Sequence, residues 1–394
     1  MGEAAQDGAG WSTQSHSSIL EIPASDWNAC VGHDDPLLRH QMLDALERSG
    51  VASAENGFTP CHVVLKDAGG RIVAAAPAYL KTNSKGELGA DIGHAIAHRR
   101  VVGEYFPKLQ VEVPMVPFSG QRLLVRGGVD RRVAIRRLAE ALQATAEERG
   151  ASSVQISYLR DGSDEVDALA ACGFAMGQSN TYTWQAGDET SFDQFLGRMI
   201  TKRRTEIKRH RRRLADEGVS FRHYRGAEIP ADMSATFFPL YVDNFLRHRS
   251  ETWLNQSFFD HVFRTMSERI DVSVSTVGGE LAGAVFSVAG PSRGYSLYWG
   301  QRAAMRFLYF DQVIYRAIER AFVTGLECLD FGATGEHKAH YGLAPSPTHH
   351  AFWYRSPAFR DVAIAACHGR TRTAEAERMA ETARLPFVRS GERQ

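Results

Sequence analysis

Residues 270–289 read IDVSVSTVGGELAGAVFSVA: an apolar run, a Gly278-Gly279 turn, and a second apolar run of small residues opened by Glu280. Short apolar runs joined by a glycine turn form a β-hairpin. The layout occurs a second time at residues 61–80, CHVVLKDAGGRIVAAAPAYL, with Gly69-Gly70 in the turn and Arg71 opening the second run. The chain therefore carries an internal repeat, and a repeat sets the architecture before any single element does. Downstream, each half continues with a strand (122–125; 295–299), a helix with apolar residues at helical spacing (133–148; 309–324) and a further strand (154–158; 328–331). Helical segments precede each hairpin, at 36–48 in the first half and at 235–247 and 256–268 in the second. Helices, antiparallel strands and a strand–helix–strand crossover, twice over, give an α/β (α+β) chain of two units, each a mixed, mostly antiparallel sheet flanked by helices.

A chain of 394 residues is long enough for two such units, each with its own core. We place a disordered tail at 1–17, the first unit at 18–178, the second at 179–370 and a charged tail at 371–394. Lysine plus arginine equals aspartate plus glutamate, 46 each, so no whole-protein field recruits a polyanion. The five cysteines are scattered without a C-x-x-C pair, which argues against a zinc ribbon, a redox pair or a disulfide framework and fits a reducing compartment. The N-terminus lacks the basic start and apolar stretch of a signal peptide, and no run is long and apolar enough to span a bilayer, so the expected location is cytoplasmic.

The stretch from Leu297, LYWGQRAAMRFLYFDQVIYRAIERAFVTGLECLDFGATGEHKAHYGLAPSPTHHAFW, carries the most specific pattern. It resembles the FemAB-like peptidoglycan biosynthesis/recognition family of predicted N-acyltransferases, within the GNAT superfamily. The matching pieces are Tyr298-Trp299-Gly300, Phe310-Asp311, the GATGEHK run from Gly332 to Lys338, and Leu343 with Pro345, Pro347 and Thr348. Tyr105 to Gln110, Pro114, Gly120, Leu123-Leu124 and the basic stretch 202–213 extend the resemblance over 19–362. One segment departs from it: residues 89–103, GADIGHAIAHRRVVG, where the family carries an aromatic, acid-rich stretch. The resemblance implies tandem GNAT-like units and transfer of an acyl group to an amine. In Fem-type relatives the donor is an aminoacyl-tRNA and the acceptor a peptidoglycan-precursor side chain or a small amine.

Acyl transfer to an amine needs an acceptor for the amine proton, a donor toward the oxyanion and a proton for the leaving group. Glu336, His337 and Lys338 supply these types in one turn after the strand ending at Phe331. Glu336 or His337 would accept the amine proton, and Lys338 would stabilise negative charge. The bland alternative is a glycine loop whose Glu only organises the next segment. Tyr298, Trp299 and Gln301 close the neighbouring strand, and Tyr309 and Asp311 open the helix after it, so these five, with Tyr105 and Lys108 of the first half, are the candidate substrate contacts.

No cofactor is expected; aminoacyl-tRNA would be a co-substrate, with acyl-CoA as the alternative. The turn that would chelate a CoA pyrophosphate reads Gln301-Arg302-Ala303-Ala304-Met305-Arg306, without glycines, which weakens the CoA reading. Residues 198–213, RMITKRRTEIKRHRRR, hold nine Lys or Arg in sixteen positions, with Phe195, Met199, Ile200, Ile207 and Leu214 as an inner face. Lys202, Arg203, Arg204, Lys208, Arg209, Arg211, Arg212 and Arg213 are therefore the candidate tRNA or phosphate contacts; the alternative is a solvated helix paired with acids. His94/His98 and His337/His340 lack a third ligand at metal spacing, so no metal is expected. No G-x-S-x-G elbow occurs and no cysteine adjoins the GEHK run, which favours direct attack, peptide-bond formation without an acyl-enzyme. Three functions follow: aminoacyl-tRNA-dependent transfer to an amine of a cell-wall precursor, peptide or small molecule; acyl-CoA-dependent N-acylation of a small molecule; or a non-catalytic polyanion-binding module. Two fused units remove the need for a homodimer, so a monomer without membrane insertion is expected.

Overall fold

In a computed structural model of the chain, which describes residues 10–86, 92–302, 304–333 and 335–388, two compact units form. Unit 1 takes Met1–Asn180 and Pro347–Ala376; unit 2 takes Thr181–Ser346 and Glu377–Gln394. The second unit expected at 179–370 thus loses its final stretch to unit 1.

Unit 1 runs β1 (Ser12–His16), α1 (Ala24–Asn28), α2 (His40–Arg48), β2 (Phe58–Pro60), β3 (His62–Lys66), β4 (Ile72–Ala76), β5 (Ala78–Lys81), α3 (Ile92–Val101), β6 (Lys108–Val111), β7 (Leu124–Val125), α4 (Arg131–Glu148), β8 (Ser153–Arg160) and α5 (Asp164–Ala171). The expected hairpin forms, with β3 and β4 paired antiparallel. Two features correct the sequence reading. Ser12–His16 is not a tail: it pairs antiparallel with β3 from Ser12↔Lys66 to His16↔His62, while residues 1–9 lie outside the described residues. The strand lying parallel to β8 is β6, not the segment at 122–125, whose two residues pair with β4 instead. Helix α4 starts where Asp130 accepts the Val133 amide at 3.0 Å, a side-chain N-cap. Its buried Ile135, Leu138 and Leu142 recur at helical spacing, and each contributes roughly 1.5–3 kcal/mol by leaving water.

The chain leaves unit 1 along β9 (Ala175–Gln185). Unit 2 then contains α6 (Phe192–Gly197), α7 (Thr201–Asp216), β10 (Val219–Arg225), α8 (Met233–Arg247), α9 (Gln256–Thr265), β11 (Ile270–Val277), β12 (Glu280–Ala289), β13 (Arg293–Gln301), a π-helix (Phe310–Tyr315) continuing as α10 (Arg316–Thr324), β14 (Cys328–Asp330) and a 3-10 turn (Glu336–Tyr341). Strands β10 to β13 are antiparallel neighbours in sequence order, and β14 joins β13 in parallel. The chain returns through β15 (Ala344–Tyr354) into α11 (Pro357–Thr382). The charged stretch from 371, expected as a short helix opening a tail, is helical but is the end of a 26-residue helix that starts at Pro357. Beyond it Phe387 forms a β-bridge with Met199 and packs on Phe195 at 5.8 Å, and residues 389–394 lie outside the described residues. Among the described residues, no helix is long and apolar enough to cross a membrane.

Gly300 presses β13 against α8. A Cβ there would sit 2.1 Å from the Leu240 carbonyl oxygen, a collision with backbone rather than with a movable side chain. Gly300→Ala is expected to cost about 2 kcal/mol or more and lower Tm by several degrees in a thermal melt. An unchanged Tm would mean that this contact is not tight.

Candidate active site in unit 2

Strands β13 and β14 pair only from Arg293↔Cys328 to Tyr295↔Asp330; beyond that point β13 continues to Gln301 without β14 beside it. The register of β13 against β12 jumps from Tyr298↔Phe286 to Ser296↔Ser287, so Leu297 is an extra, bulged residue just past the divergence. A parallel pair that parts company after three residues exposes strand-end groups to a common space, which is where α/β folds assemble sites.

Asp330, the last residue of β14, is fully buried. Its Oδ1 accepts the Thr181 hydroxyl at 2.8 Å and the Gly332 amide at 2.8 Å, while Oδ2 is buried without a hydrogen-bond partner. Burial pushes its pKa up, against these bonds and the nearby charges of Arg293 and Lys338. Lys338 is 7% exposed, and its ammonium donates to the Phe331 carbonyl and lies 5.6 Å from the Tyr182 ring centroid. Burial brings its pKa down to about 8, only partly opposed by Asp330. A buried ammonium with a pKa lowered to about 8, under the influence of a buried carboxylate with an unused oxygen, is a candidate for chemistry.

The turn that delivers Lys338 depends on Gly335, whose φ is +102°. A Cβ there would meet His337 Cε1 at 3.0 Å and Lys338 Cε at 3.3 Å, so a larger residue would displace both side chains. His337 is exposed, and its ring stands 6.2 Å from Tyr309 and 6.0 Å from Phe310. Partial burial and the charges of Lys338 and His340 lower its pKa, so the ring is a free base near neutral pH. The side chain of Glu336 lies outside the described residues. Aromatic rings extend the wall: Trp299 meets Tyr309 edge-on at 5.3 Å, and Phe310 stacks on Tyr341 at 4.0 Å.

The expected substrate contacts divide. Trp299 and Tyr309 join His337, whereas Tyr298, one step along the strand, points to the opposite face and packs on Tyr241 of α8 at 5.1 Å. Gln301 accepts from the Met305 amide at 3.5 Å. Asp311 is not free for a ligand: it is 2% exposed and holds Arg211 at 3.0 Å and Arg316 at 3.1 Å. Tyr105 and Lys108 are buried in unit 1, Lys108 donating to Gln155 at 2.7 Å, which leaves them no exposed surface to offer a substrate. His94 and His98 are also buried there, His94 bonded to the Tyr354 hydroxyl at 2.7 Å and His98 to the Gly103 carbonyl at 3.0 Å. Asp330, Tyr182 and Tyr341 were not anticipated. An acid inside the apolar run CLDF was the available signal for Asp330.

The basic helix α7 has two kinds of cation. Arg211 is spent on Asp311 and on Glu319 (2.7 Å), Arg203 on Glu206 (2.9 Å), Arg213 on Glu217 (2.8 Å), and Arg204 on the carbonyls of Gly197 and Met199. Lys202, Lys208, Arg209 and Arg212 are exposed. At 100° per residue these four share one face, opposite buried Ile207 and Leu214. The segment between β13 and the π-helix is built on side chains: Phe307 has φ +72° and stacks on His210 of α7 at 3.6 Å.

The sequence matches the FemAB-like family, described as peptidoglycan biosynthesis/recognition, over residues 18–389. No curated protein sequence matches it. Among solved structures, FemX is 13% identical, with a TM-score of 0.55 and coverage of 89% of this chain and 100% of that one. The C-terminal domain of a putative lysylphosphatidylglycerol synthetase from Agrobacterium fabrum is 11% identical, with a TM-score of 0.50, covering 82% of this chain and 95% of its own. A conserved protein of unknown function from Bacteroides thetaiotaomicron is 10% identical, with a TM-score of 0.51 and coverage of 87% and 100%. At such identities the likeness is one of fold alone.

Proposed function

The chain belongs to the FemAB-like peptidoglycan biosynthesis/recognition family, and from that membership and the tandem GNAT-like fold we propose that it is an acyltransferase moving an aminoacyl group from aminoacyl-tRNA to an amine. The observation that carries the reading is the buried ammonium of Lys338, held on the Phe331 carbonyl just past the point where β13 and β14 part, next in sequence to the free-base ring of His337. In the reaction the acceptor nitrogen attacks the ester carbonyl, a C–N bond forms, the C–O bond to the tRNA ribose breaks, and the ribose oxygen takes up a proton. His337 accepts the proton that the amine loses, and the Lys338 ammonium stabilises the oxyanion; the Phe331 carbonyl holds that ammonium in place and the charge of Asp330 favours its protonated form. The rings of Trp299 and Tyr309 form the wall against which the acyl group lies. The exposed cations of α7 contact the phosphates of the tRNA. The acceptor is an amine of a cell-wall precursor, a peptide or a small molecule.

The pH dependence follows from the two shifts. Below the depressed His337 pKa the ring is protonated and cannot act as base; above about 8 Lys338 loses the charge that the oxyanion needs. The rate should therefore rise through the acid limb and fall through an alkaline limb near pH 8, and Lys338→Arg should move that limb upward. A profile flat from pH 7 to pH 10 would remove Lys338 from the chemistry, as measured by initial rates of amide formation across buffers.

A further inference from the structure

Unit 2 holds a pocket around Gly294 to Ser296, under α10. The sheet register builds it. Arg225, Asp271, Ser287 and Ser296 lie in one cross-strand row over β10 to β13, and His223, Ser273 and Val285 form the next. Arg320 reaches in from α10. Three basic groups, Arg225, Arg320 and His223, stand around one carboxylate, Asp271, whose contacts are long: 3.5 Å to Arg320 and 3.4 Å to His223. Arg225 spends its Nε on the Glu268 carbonyl at 3.4 Å. The Oγ of Ser273, in a residue only 6% exposed, is buried with no hydrogen-bond partner and lines the pocket. Tyr295 and Leu329, both buried, and half-buried Leu326 give it an apolar floor.

We propose that this pocket is a binding site for a small organic monocarboxylate with a short apolar tail, separate from the acyl-transfer site. The excess of positive charge at the mouth selects an anion, and a carboxylate matches the two-nitrogen edge of a guanidinium. The apolar floor selects a tail and disfavours inorganic anions, which would have to be desolvated there without compensation. A neutral, singly hydroxylated lining at Ser273 and Ser287 completes the carboxylate's hydrogen bonds. The site rests on residues that the transfer reaction does not use.

Butanoate, butylammonium and inorganic phosphate would be titrated into the full chain with ligand-observed NMR. Saturable binding is expected for butanoate alone. Arg320→Gln, which removes a charge-assisted pair, should weaken it by about tenfold or more, and Ala317→Leu, which fills the pocket from α10, should abolish it. Lys338→Met should leave it unchanged, and thermal melts would establish that each variant is folded. Equal binding of phosphate or of butylammonium, absence of saturation, indifference to both Arg320→Gln and Ala317→Leu, or loss of binding in Lys338→Met would each overturn the proposal.

Discussion

Replacing Lys338 by methionine is expected to slow amide formation by about 10²- to 10³-fold, the usual cost of removing one preorganised donor to an oxyanion. The size of the effect comes from burial. Lys338 is 7% exposed and its ammonium is fixed on the Phe331 carbonyl, so little reorganisation separates its resting position from its working one. Methionine keeps the length and apolar stem, so the turn at Gly335 and the packing on Tyr182 should survive. The loss should fall on kcat and kcat/KM together, because the interaction is made in the transition state. Asp330→Asn, by contrast, removes a charge that acts on the lysine only through space; it should cost less and shift the alkaline limb downward, since the carboxylate that raises the Lys338 pKa is gone. A Lys338→Met enzyme of unchanged rate and unchanged melting temperature would take the chemistry out of this turn.

Neutralising Lys202, Lys208, Arg209 and Arg212 together as glutamines is expected to weaken tRNA binding by about 10²-fold or more at moderate salt, and to flatten the dependence of log K on log salt by about 3–4 units. These four are exposed on one face of α7. Arg213, held by Glu217 at 2.8 Å on the surface, should contribute far less when changed alone. Arg211 differs again: with Arg316 it neutralises Asp311, which is 2% exposed, so Arg211→Gln should lower the melting temperature by leaving that buried carboxylate to Arg316 alone. Filter binding at several salt concentrations, run beside thermal melts, separates the two effects. A salt slope that survives the fourfold change would place the polyanion elsewhere.

The hairpins at 61–80 and 270–289 were legible because turn glycines and apolar runs are local signals. The helical face of α7 was legible in part for the same reason: Ile207 and Leu214 are buried where their spacing puts them, but Ile200, expected on that face, precedes the helix as its N-cap and is exposed. Strand β6 was not, since Lys108 and Gln110 are polar residues that point inward, and only the buried partners Gln155 and Ser157 on β8 make that sensible. The length of α11 was hidden by its charged last turns, which follow an inner face set by Phe359, Ala363 and Cys367. In the site, Trp299, Tyr309 and His337 lie in ring contact, and Lys338 follows His337 in the same turn. The motif failed for Tyr298 because adjacent strand residues face opposite ways, and for Asp311 because its partners, Arg211 and Arg316, come from two different helices. Long-range ion pairs leave no mark in local sequence.

The most direct measurement supplies purified protein with tRNA charged with radiolabelled amino acids and a set of amine acceptors, and follows label from the base-labile ester into a base-stable amide. Label should enter an amide with the wild type and not with Lys338→Met. Esters left intact by the wild type, with amide formed from acyl-CoA in the same acceptor mixture, would contradict transfer from aminoacyl-tRNA.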